Sequence, residues 1–511
     1  MIAVTADPLA ARSPLATVLC LIAVVLAMIL EMVDITIVNV ALPQIQGNLG
    51  VDLDQATFIV TGYIVANVVV VPLTPWLQAR FGTRNYFAGS IALFTFASVM
   101  CGLSSSLGAL VIWRIVQGLG GGGLISTSQT ILRSLFPAGR QGSAQAFFAA
   151  GTLVGPTVGP ILGGWITENA SWQWCFFVNL PIGLLAFALC LALLPNERAR
   201  AAGKLDTLGV GLLVLGLGSL QYVLDQGEQK DWFDDATIAL LSCTAVIGIG
   251  GLIARMLSVK DPVVDLRVLR FRDVSTGSAI AAVLGLALFG SVLIIPQYTQ
   301  VLLGFTPLGS GQILSLRAIA MICTLPVGVV LSKTVDPRWQ ISGGIALLGL
   351  STLMLANVTT SNTSAAALYP ALILSGVALA NVFIPLQLAM FAGLSPQDIP
   401  KAAAFFNLSR QLGGGLATAI LATLLDHTTG ASLNVLASST NRSSPPVTML
   451  LQAQGEAVGR RTLSSLVSRE SQAFGYESVT RISAFITLVM IPLPFLLRAR
   501  VQPALRRRTA A

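Results

Sequence analysis

The chain has 511 residues, of which 54% are hydrophobic and only 10% are charged, whereas about 25% of residues are charged in an average soluble domain. This composition excludes a water-soluble globular protein. The formal net charge of +8 would suit a nucleic-acid partner only if the basic residues formed a patch.

Apolar segments long enough to cross a hydrocarbon layer, about 20 residues each, follow one another along the whole chain. The first is too long for a signal-peptide core and has no small-residue cleavage pattern behind it, so we interpret it as a spanning helix. The pattern predicts an all-α polytopic membrane protein with about fourteen transmembrane helices, at residues 15–40, 55–77, 86–103, 108–130, 143–166, 174–194, 206–224, 236–257, 276–298, 309–332, 340–357, 366–391, 402–425 and 478–497.

The positions of the thirty Lys and Arg residues predict the orientation. The short loops of one side contain only Lys230, four arginines lie in a long loop at 426–477, and four lie within spans. All the others fall on the opposite side. By the positive-inside rule both termini are cytoplasmic and the number of helices is even. The net charge thus reflects topology and leaves no basic patch for nucleic acid.

The first span contains two acidic residues, Glu31 and Asp34, which project from one side of the helix because they are three residues apart. Acids within the membrane usually face water, pair with a base or carry a proton. Arg114 in the fourth span has the right depth to be the partner. We hypothesise that protonation of Asp34, or of Glu31, releases Arg114 and couples proton uptake to conformational change. The alternative is a permanent Asp34/Arg114 ion pair that fixes helix packing.

The fifth span carries glycines at four-residue spacing, which form one bare helix face, and two prolines at the same spacing. A membrane tolerates such a helix because leaving the helical state would strand backbone groups without partners. We expect the bare face to close against the other half of the protein and to seal it against proton leak. The stretch comprises Gly151, Gly155, Pro156, Gly159, Pro160, Gly163 and Gly164.

Two further arginines, Arg317 and Arg410, lie in spans that contain no obvious acid. They either bind substrate anions or satisfy carbonyls and polar side chains. Asp225 ends the seventh span beside an acidic stretch, so we interpret it as part of a solvated outer loop rather than as a coupling site. The six scattered cysteines and the single His427 predict neither a metal site nor a disulfide framework.

The loop at 426–477 is the longest segment outside the predicted spans, and no segment is typical of a soluble catalytic domain. Its Ser438–Pro446 tract predicts irregular structure. The spaced apolar residues from Met449 to Phe474 predict an amphipathic helix. This segment either packs at the membrane interface or offers a docking surface for a partner.

Long motifs make the chain similar to the major facilitator superfamily, and within it to the fourteen-helix drug:proton antiporters of the EmrB type. The first-span motif runs from Asp34 to Pro43 and the fourth-span motif from Leu110 to Gly120. The Gly151–Gly164 stretch matches the antiporter motif of the fifth helix. The segments 172–183, 220–233 and 407–414 extend the resemblance over nearly the whole chain.

The resemblance implies two six-helix bundles, at 15–194 and 276–497, joined by a linker at 195–275 that contains two extra transmembrane helices. Residues 1–14 and the basic residues 498–511 would be cytoplasmic, and 426–477 would be a periplasmic loop. It also implies alternating access around a midplane cavity. Candidate cavity or coupling residues are then Gln117, Asn39, Arg317 and Arg410.

The resemblance departs from the superfamily in the loop after the second span. The acid of the usual motif is replaced by Ala79, beside Arg80, Gly82 and Arg84. The cytoplasmic lock that this acid makes with a neighbouring helix cannot be assigned here. The EmrB type also lacks the acid, so the departure favours that group.

Three function classes are weighed. Proton-driven efflux of hydrophobic or amphipathic toxic compounds across the inner membrane is favoured, with the proton gradient in place of any cofactor and with a periplasmic adaptor and outer-membrane channel as potential partners. A dedicated exporter of a siderophore, fatty acid or self-made antibiotic would carry the same motifs. A membrane-embedded enzyme is disfavoured because acids are dispersed and only one histidine is present.

Overall fold

The computed structural model describes residues 14–195, 205–259, 262, 264–439, 445–454 and 456–498. Almost all of this part of the chain is helical. Its eighteen α-helices are α1 (Pro14–Leu49), α2 (Leu53–Val70), α3 (Thr74–Phe81), α4 (Thr83–Gly102), α5 (Leu107–Gly121), α6 (Leu124–Leu135), α7 (Gln141–Asn169), α8 (Trp174–Phe177), α9 (Asn179–Leu193), α10 (Thr207–Gln226), α11 (Ala236–Ser258), α12 (Arg272–Gln297), α13 (Pro307–Thr334), α14 (Pro337–Val358), α15 (Ala365–Phe391), α16 (Ile399–Ser439), α17 (Pro445–Gln454) and α18 (Glu456–Val489).

Each of the fourteen predicted spans lies on helical segments. Eleven of them coincide with described helices that are long and apolar enough to cross a membrane. The other three, 143–166, 276–298 and 402–425, lie on α7, α12 and α16, which have 29, 26 and 41 residues. All three exceed the length of about 20 residues that a bilayer requires.

Two of the predicted spans are divided into shorter helices, and the breaks occur at prolines or glycines. Pro72 and Pro75, which lack backbone donors, accompany the short 3₁₀ turn between α2 and α3. Consecutive glycines at 120–123 accompany the break between α5 and α6. In contrast, α7 runs without a break past Pro156 and Pro160, as expected where a broken helix would leave backbone groups unsatisfied in lipid.

The helices pack as two bundles with one helix pair between them. In the first, α1 packs against α7 and α9, and α5 packs against α2 and α4. In the second, α12 packs against α16, α15 against α13 and α14, and α18 against α14 and α16. The remaining pair, α10 and α11, pack against each other, and α10 also contacts α2 and α16.

The two bundles meet through α7, which packs against α13 and α15, and through α16, which contacts α3 and α6. We call the face on which α1 begins the terminal face; the sequence predicts that it is cytoplasmic. Near this face Arg133 of α6 donates a hydrogen bond to the carbonyl of Phe391 at the end of α15 (2.7 Å). The bundles are therefore in direct contact at the terminal face.

The described part of the segment 426–477, predicted as a long loop with one amphipathic helix, is helical throughout. α16 continues to Ser439, and α18 runs from Glu456 straight into the last span. The two helices stay in contact in this segment, where Gly475 of α18 faces the Thr429 side chain of α16. Residues 426–439 contain no proline to end the helix. The predicted amphipathic helix is divided between α17 and α18, and most of the Ser438–Pro446 tract lies outside the described residues.

The prediction that Asp225 lies in a solvated outer loop is also wrong. It belongs to the last turn of α10, is half-buried, and accepts a hydrogen bond from Thr61 of α2. Just beyond the helix, Trp232 Nε1 donates to Thr423 Oγ1 of α16 (3.0 Å). α10 and the turn after it therefore bond to both bundles at the face opposite the terminal face.

Candidate functional site

A buried carboxylate lies at the centre of the first bundle. Asp34 is 0% exposed and accepts three hydrogen bonds, from Arg114 Nη1 at 2.5 Å, Gln117 Nε2 at 2.8 Å and Asn179 Nδ2 at 2.9 Å. Three donors, one of them a cation, thus satisfy the two carboxylate oxygens of Asp34. The pairing of Asp34 with Arg114 that the sequence predicts is thus present.

The environment of Arg114 holds the guanidinium in place. Its Nε donates to the carbonyl of Ile59 (3.1 Å), and its Nη1 also donates to Gln117 Oε1 (2.8 Å). The ring of Tyr63 lies 4.3 Å from the guanidinium carbon, within the range of a cation–π contact. The second amino group, Nη2, is buried without a described hydrogen-bond partner. Nε and Nη1 of Arg114 are thus hydrogen-bonded, whereas Nη2 has no described hydrogen-bond partner.

Two residues that the sequence did not single out complete this cluster. Asn179 of α9 also donates to Ser98 Oγ of α4 (3.0 Å), and Ser98 in turn donates to the carbonyl of Phe176 (2.9 Å). Through Asp34, Arg114, Asn179 and Ser98, the cluster joins α1, α5, α9 and α4. Each is a buried polar residue in an apolar span, which is the signal that could have identified them.

Glu31 lies in a separate environment. It is 2% exposed and accepts hydrogen bonds from Asn67 Nδ2 (3.0 Å) and from the backbone N–H of Ile125 (3.2 Å). Ile125 is in the first turn of α6, where N–H groups are free and the helix dipole favours an anion. Glu31 therefore makes no described hydrogen bond or ion pair with Arg114, and the release of Arg114 by its protonation stays a prediction.

The Glu31 environment reaches across to the second bundle. Asn67 Oδ1 accepts from Gln411 Nε2 of α16 (2.9 Å), and the charge of the adjacent Arg410 acts on Glu31. One helical turn earlier, Asn407 Nδ2 donates to Ser126 Oγ and Gln129 Oε1 of α6, both at 3.2 Å. A buried carboxyl of one bundle is thus linked to the interface with the other.

The other predicted cavity residues are dispersed. Arg317 is buried on α13 in the second bundle and donates to Ser291 of α12. Asn39 is exposed on α1 and has no part in the Asp34 cluster. Of the predicted candidates, Gln117 donates a hydrogen bond to Asp34, and the positive charge of Arg410 interacts electrostatically with Glu31.

The glycine face of α7 packs against α1 of its own bundle, so the prediction that it closes against the other bundle is wrong. An added Cβ at Gly155 would lie 2.1 Å from Met32 Cβ, and one at Gly159 would lie 1.9 Å from Thr36 Oγ1. Spacing identifies a bare face but not its neighbour. The later part of the motif also meets the second bundle, where Pro160 lies beside Gly311 and Gly164 beside Leu308 of α13.

The loop between α3 and α4 begins at Gly82, whose φ of 80° favours glycine. Arg84, which follows, donates to the carbonyl of Leu191 at the end of α9, and Arg80 is exposed. The loop therefore joins α4 to α9 within the first bundle.

The chain is similar to known proteins of one family. The Major Facilitator Superfamily matches the chain over residues 24–418. The multidrug export protein EmrB of Escherichia coli K12 is 32% identical over 89% of this chain and 89% of its own length. The fatty acid resistance protein FarB of Neisseria gonorrhoeae is 30% identical over 92% of this chain and 94% of its own.

A solved structure agrees at the level of the fold. The human organic anion transporter MFSD10 superposes with a TM-score of 0.61, at 15% identity, over 95% of this chain and 100% of its own. The predicted multi-pass helical architecture is thereby confirmed. This chain belongs to the Major Facilitator Superfamily and, within it, to the group that includes the EmrB export proteins.

Proposed function

We propose that this protein exports small hydrophobic or amphipathic toxic compounds in exchange for protons. The observation that carries the proposal is the buried Asp34/Arg114 pair, a titratable carboxylate and its cation in the core of a bundle. The similarity to EmrB, named as a multidrug export protein, supports the substrate class. The proton gradient supplies the energy, so the proposal needs no cofactor and assigns no chemical reaction.

Protonation of Asp34 is the switching step of this proposal. A neutral carboxyl attracts Arg114 far less than a carboxylate does, and its protonated oxygen becomes a donor with less acceptor capacity left for the groups that donate to Asp34. The contacts among α1, α5 and α9 then weaken together. Alternating access follows if one bundle rocks against the other as these contacts change.

The second buried carboxyl couples this switch to the interface between bundles. Glu31 lies one helical turn from Asp34, and the chain from Glu31 through Asn67 to Gln411 crosses from α1 to α16. A change in the protonation of Glu31 would alter both the Asn67 bond and the attraction of Arg410. We therefore assign Asp34 and Glu31 different roles, the first within its bundle and the second between bundles.

The setting of the proposed exporter is the inner membrane, with the terminal face in the cytoplasm, as the distribution of Lys and Arg predicts. The hairpin of α16 and α18 would then extend into the periplasm. A periplasmic adaptor and an outer-membrane channel are its proposed partners.

Susceptibility measurements test the proposal. A hypersensitive host that produces this chain should tolerate higher concentrations of several unrelated amphipathic compounds than the same host without it. A protonophore should remove that difference. If the tolerated concentration of no compound changes, the proposal of drug export is rejected, and export of a single metabolite becomes the favoured function. The similarity to FarB, named as a fatty acid resistance protein, makes long-chain fatty acids the first compounds to test for that alternative.

A double-mutant cycle tests the link between bundles. Asn67→Leu removes the bond to Glu31 and the bond to Gln411, so adding Gln411→Leu should cause no further loss of proton-driven transport in proteoliposomes. The matched control pairs Asn67→Leu with Asn407→Leu, whose bonds to Ser126 and Gln129 are separate. We expect those two losses to add. Additive losses for Asn67 and Gln411 would contradict a shared route.

A further inference from the structure

A buried cation without a counter-charge lies in the second bundle. Arg317 is 6% exposed, and its guanidinium donates to the Ser291 hydroxyl of α12. No described carboxylate forms an ion pair with it. A buried charge is costly unless it is paired, so the structure leaves a requirement for negative charge at this point.

The sequence explains why the second bundle does not supply that charge. Its six predicted spans contain no Asp or Glu but contain three arginines. The charge of Arg410 acts on Glu31 of the first bundle, and Arg481 pairs with Glu477 at 2.6 Å. Among these three, Arg317 alone lacks a described acidic partner.

Arg317 lines a small, mainly apolar cavity among α12, α13, α14, α15 and α18, and no acid is among the lining residues. The space open to water-sized spheres is about 40 Å³, enough for roughly three waters. Thr480 Oγ1 is buried there without a described hydrogen-bond partner. Six hydroxyl groups line the cavity, those of Ser291, Ser351, Thr352, Ser375, Thr480 and Ser483, and the first four already donate to backbone carbonyls of their own helices.

The first bundle offers an informative contrast. Asp34 and Ser291 lie at nearly the same distance from the start of the first helix of their bundles, α1 and α12. In the first bundle the buried arginine meets a carboxylate, whereas in the second it meets hydroxyls. Hydroxyl groups donate hydrogen bonds readily but carry no charge. The second bundle therefore has a buried guanidinium with no described carboxylate beside it.

We propose that this cavity binds a small inorganic anion of the chloride class, held by the Arg317 guanidinium and the Thr480 hydroxyl. The bound anion supplies the counter-charge that Asp34 supplies in the first bundle. The proposal concerns the resting protein and does not depend on export.

Thermal unfolding of the purified full-length chain tests the proposal. At constant ionic strength, replacing gluconate by chloride should raise Tm in a saturable manner, because a ligand that binds only the folded state stabilises it. Bromide and nitrate should act similarly. Arg317→Gln should abolish the rise, whereas Arg481→Gln, which removes an exposed arginine of the same bundle, should keep it.

A second variant keeps the test decisive if Arg317→Gln does not fold. Thr480→Val removes one donor while keeping the shape of the side chain, and should raise the half-saturating chloride concentration roughly tenfold. Equal Tm values in chloride and gluconate, or an unchanged chloride response in the variants, would overturn the proposal. Competition by benzoate at the potency of chloride would also overturn it, because the site would then be one for organic carboxylates.

Discussion

Asp34→Asn is expected to abolish proton-driven export, because the amide keeps the size of the carboxyl group but takes up no proton. It also leaves Arg114 fully buried without its counter-charge. Removing one partner of a buried pair costs about 3 to 5 kcal/mol of stability. Drug-dependent proton movement in proteoliposomes and the midpoint of unfolding should therefore both fall.

Two further variants separate coupling from folding. Asp34→Asn combined with Arg114→Gln removes both charges, and should regain much of the lost stability but none of the proton coupling. Asp52→Asn is the matched control, because Asp52 is exposed and its side chain makes no cap bond to α2. Full proton-driven transport by Asp34→Asn would reduce the pair to a packing contact.

Ala replacements at Gly155 and Gly159 are expected to impair transport without touching a charged residue. The new methyl groups would lie within 2.1 Å of Met32 Cβ and 1.9 Å of Thr36 Oγ1, so α1 must move away from α7. Asp34 lies between those two residues on α1, and its distance from Arg114 would change with them. Overpacking of this kind costs about 1 to 3 kcal/mol.

Gly89→Ala is the control for this prediction, since an added Cβ there has no neighbour within 4 Å. It should leave the transport rate unchanged in the same proteoliposome assay. The ratio of protons moved to drug moved should change only in the α7 variants. If the Gly155/Gly159 double variant keeps both rate and ratio, the close approach of α7 to α1 has no part in coupling.

Much of the fold could be predicted because the bilayer sets the length and composition of every spanning helix. The Asp34/Arg114 pair could be predicted for a related reason: two opposite charges at one depth of an apolar layer are each costly alone. The continuation of α16 to Ser439 could not, because outside the membrane no hydrocarbon layer limits the length of a helix.

The sequence could not predict which residues of different helices contact each other. The spacing of Gly155 and Gly159 defines a bare face, but α1 and α13 were equally available to cover it. The bonds of Glu31 could not be predicted because one donor is a backbone N–H, exposed only where α6 begins. The environment of Asp225 depends on Thr61, which is far away in the chain.

The position of α10 restricts how molecules dissolved in the lipid can reach the interior. α10 lies against both α2 and α16, with Leu213 and Leu217 packed in one apolar cluster with Val68, Val69 and Leu412. The lateral crevice between the two halves is thus covered on this flank by a helix that belongs to neither. A lipophilic molecule that approaches from this flank meets a closed wall. Its passage requires α10 to detach or another flank to open.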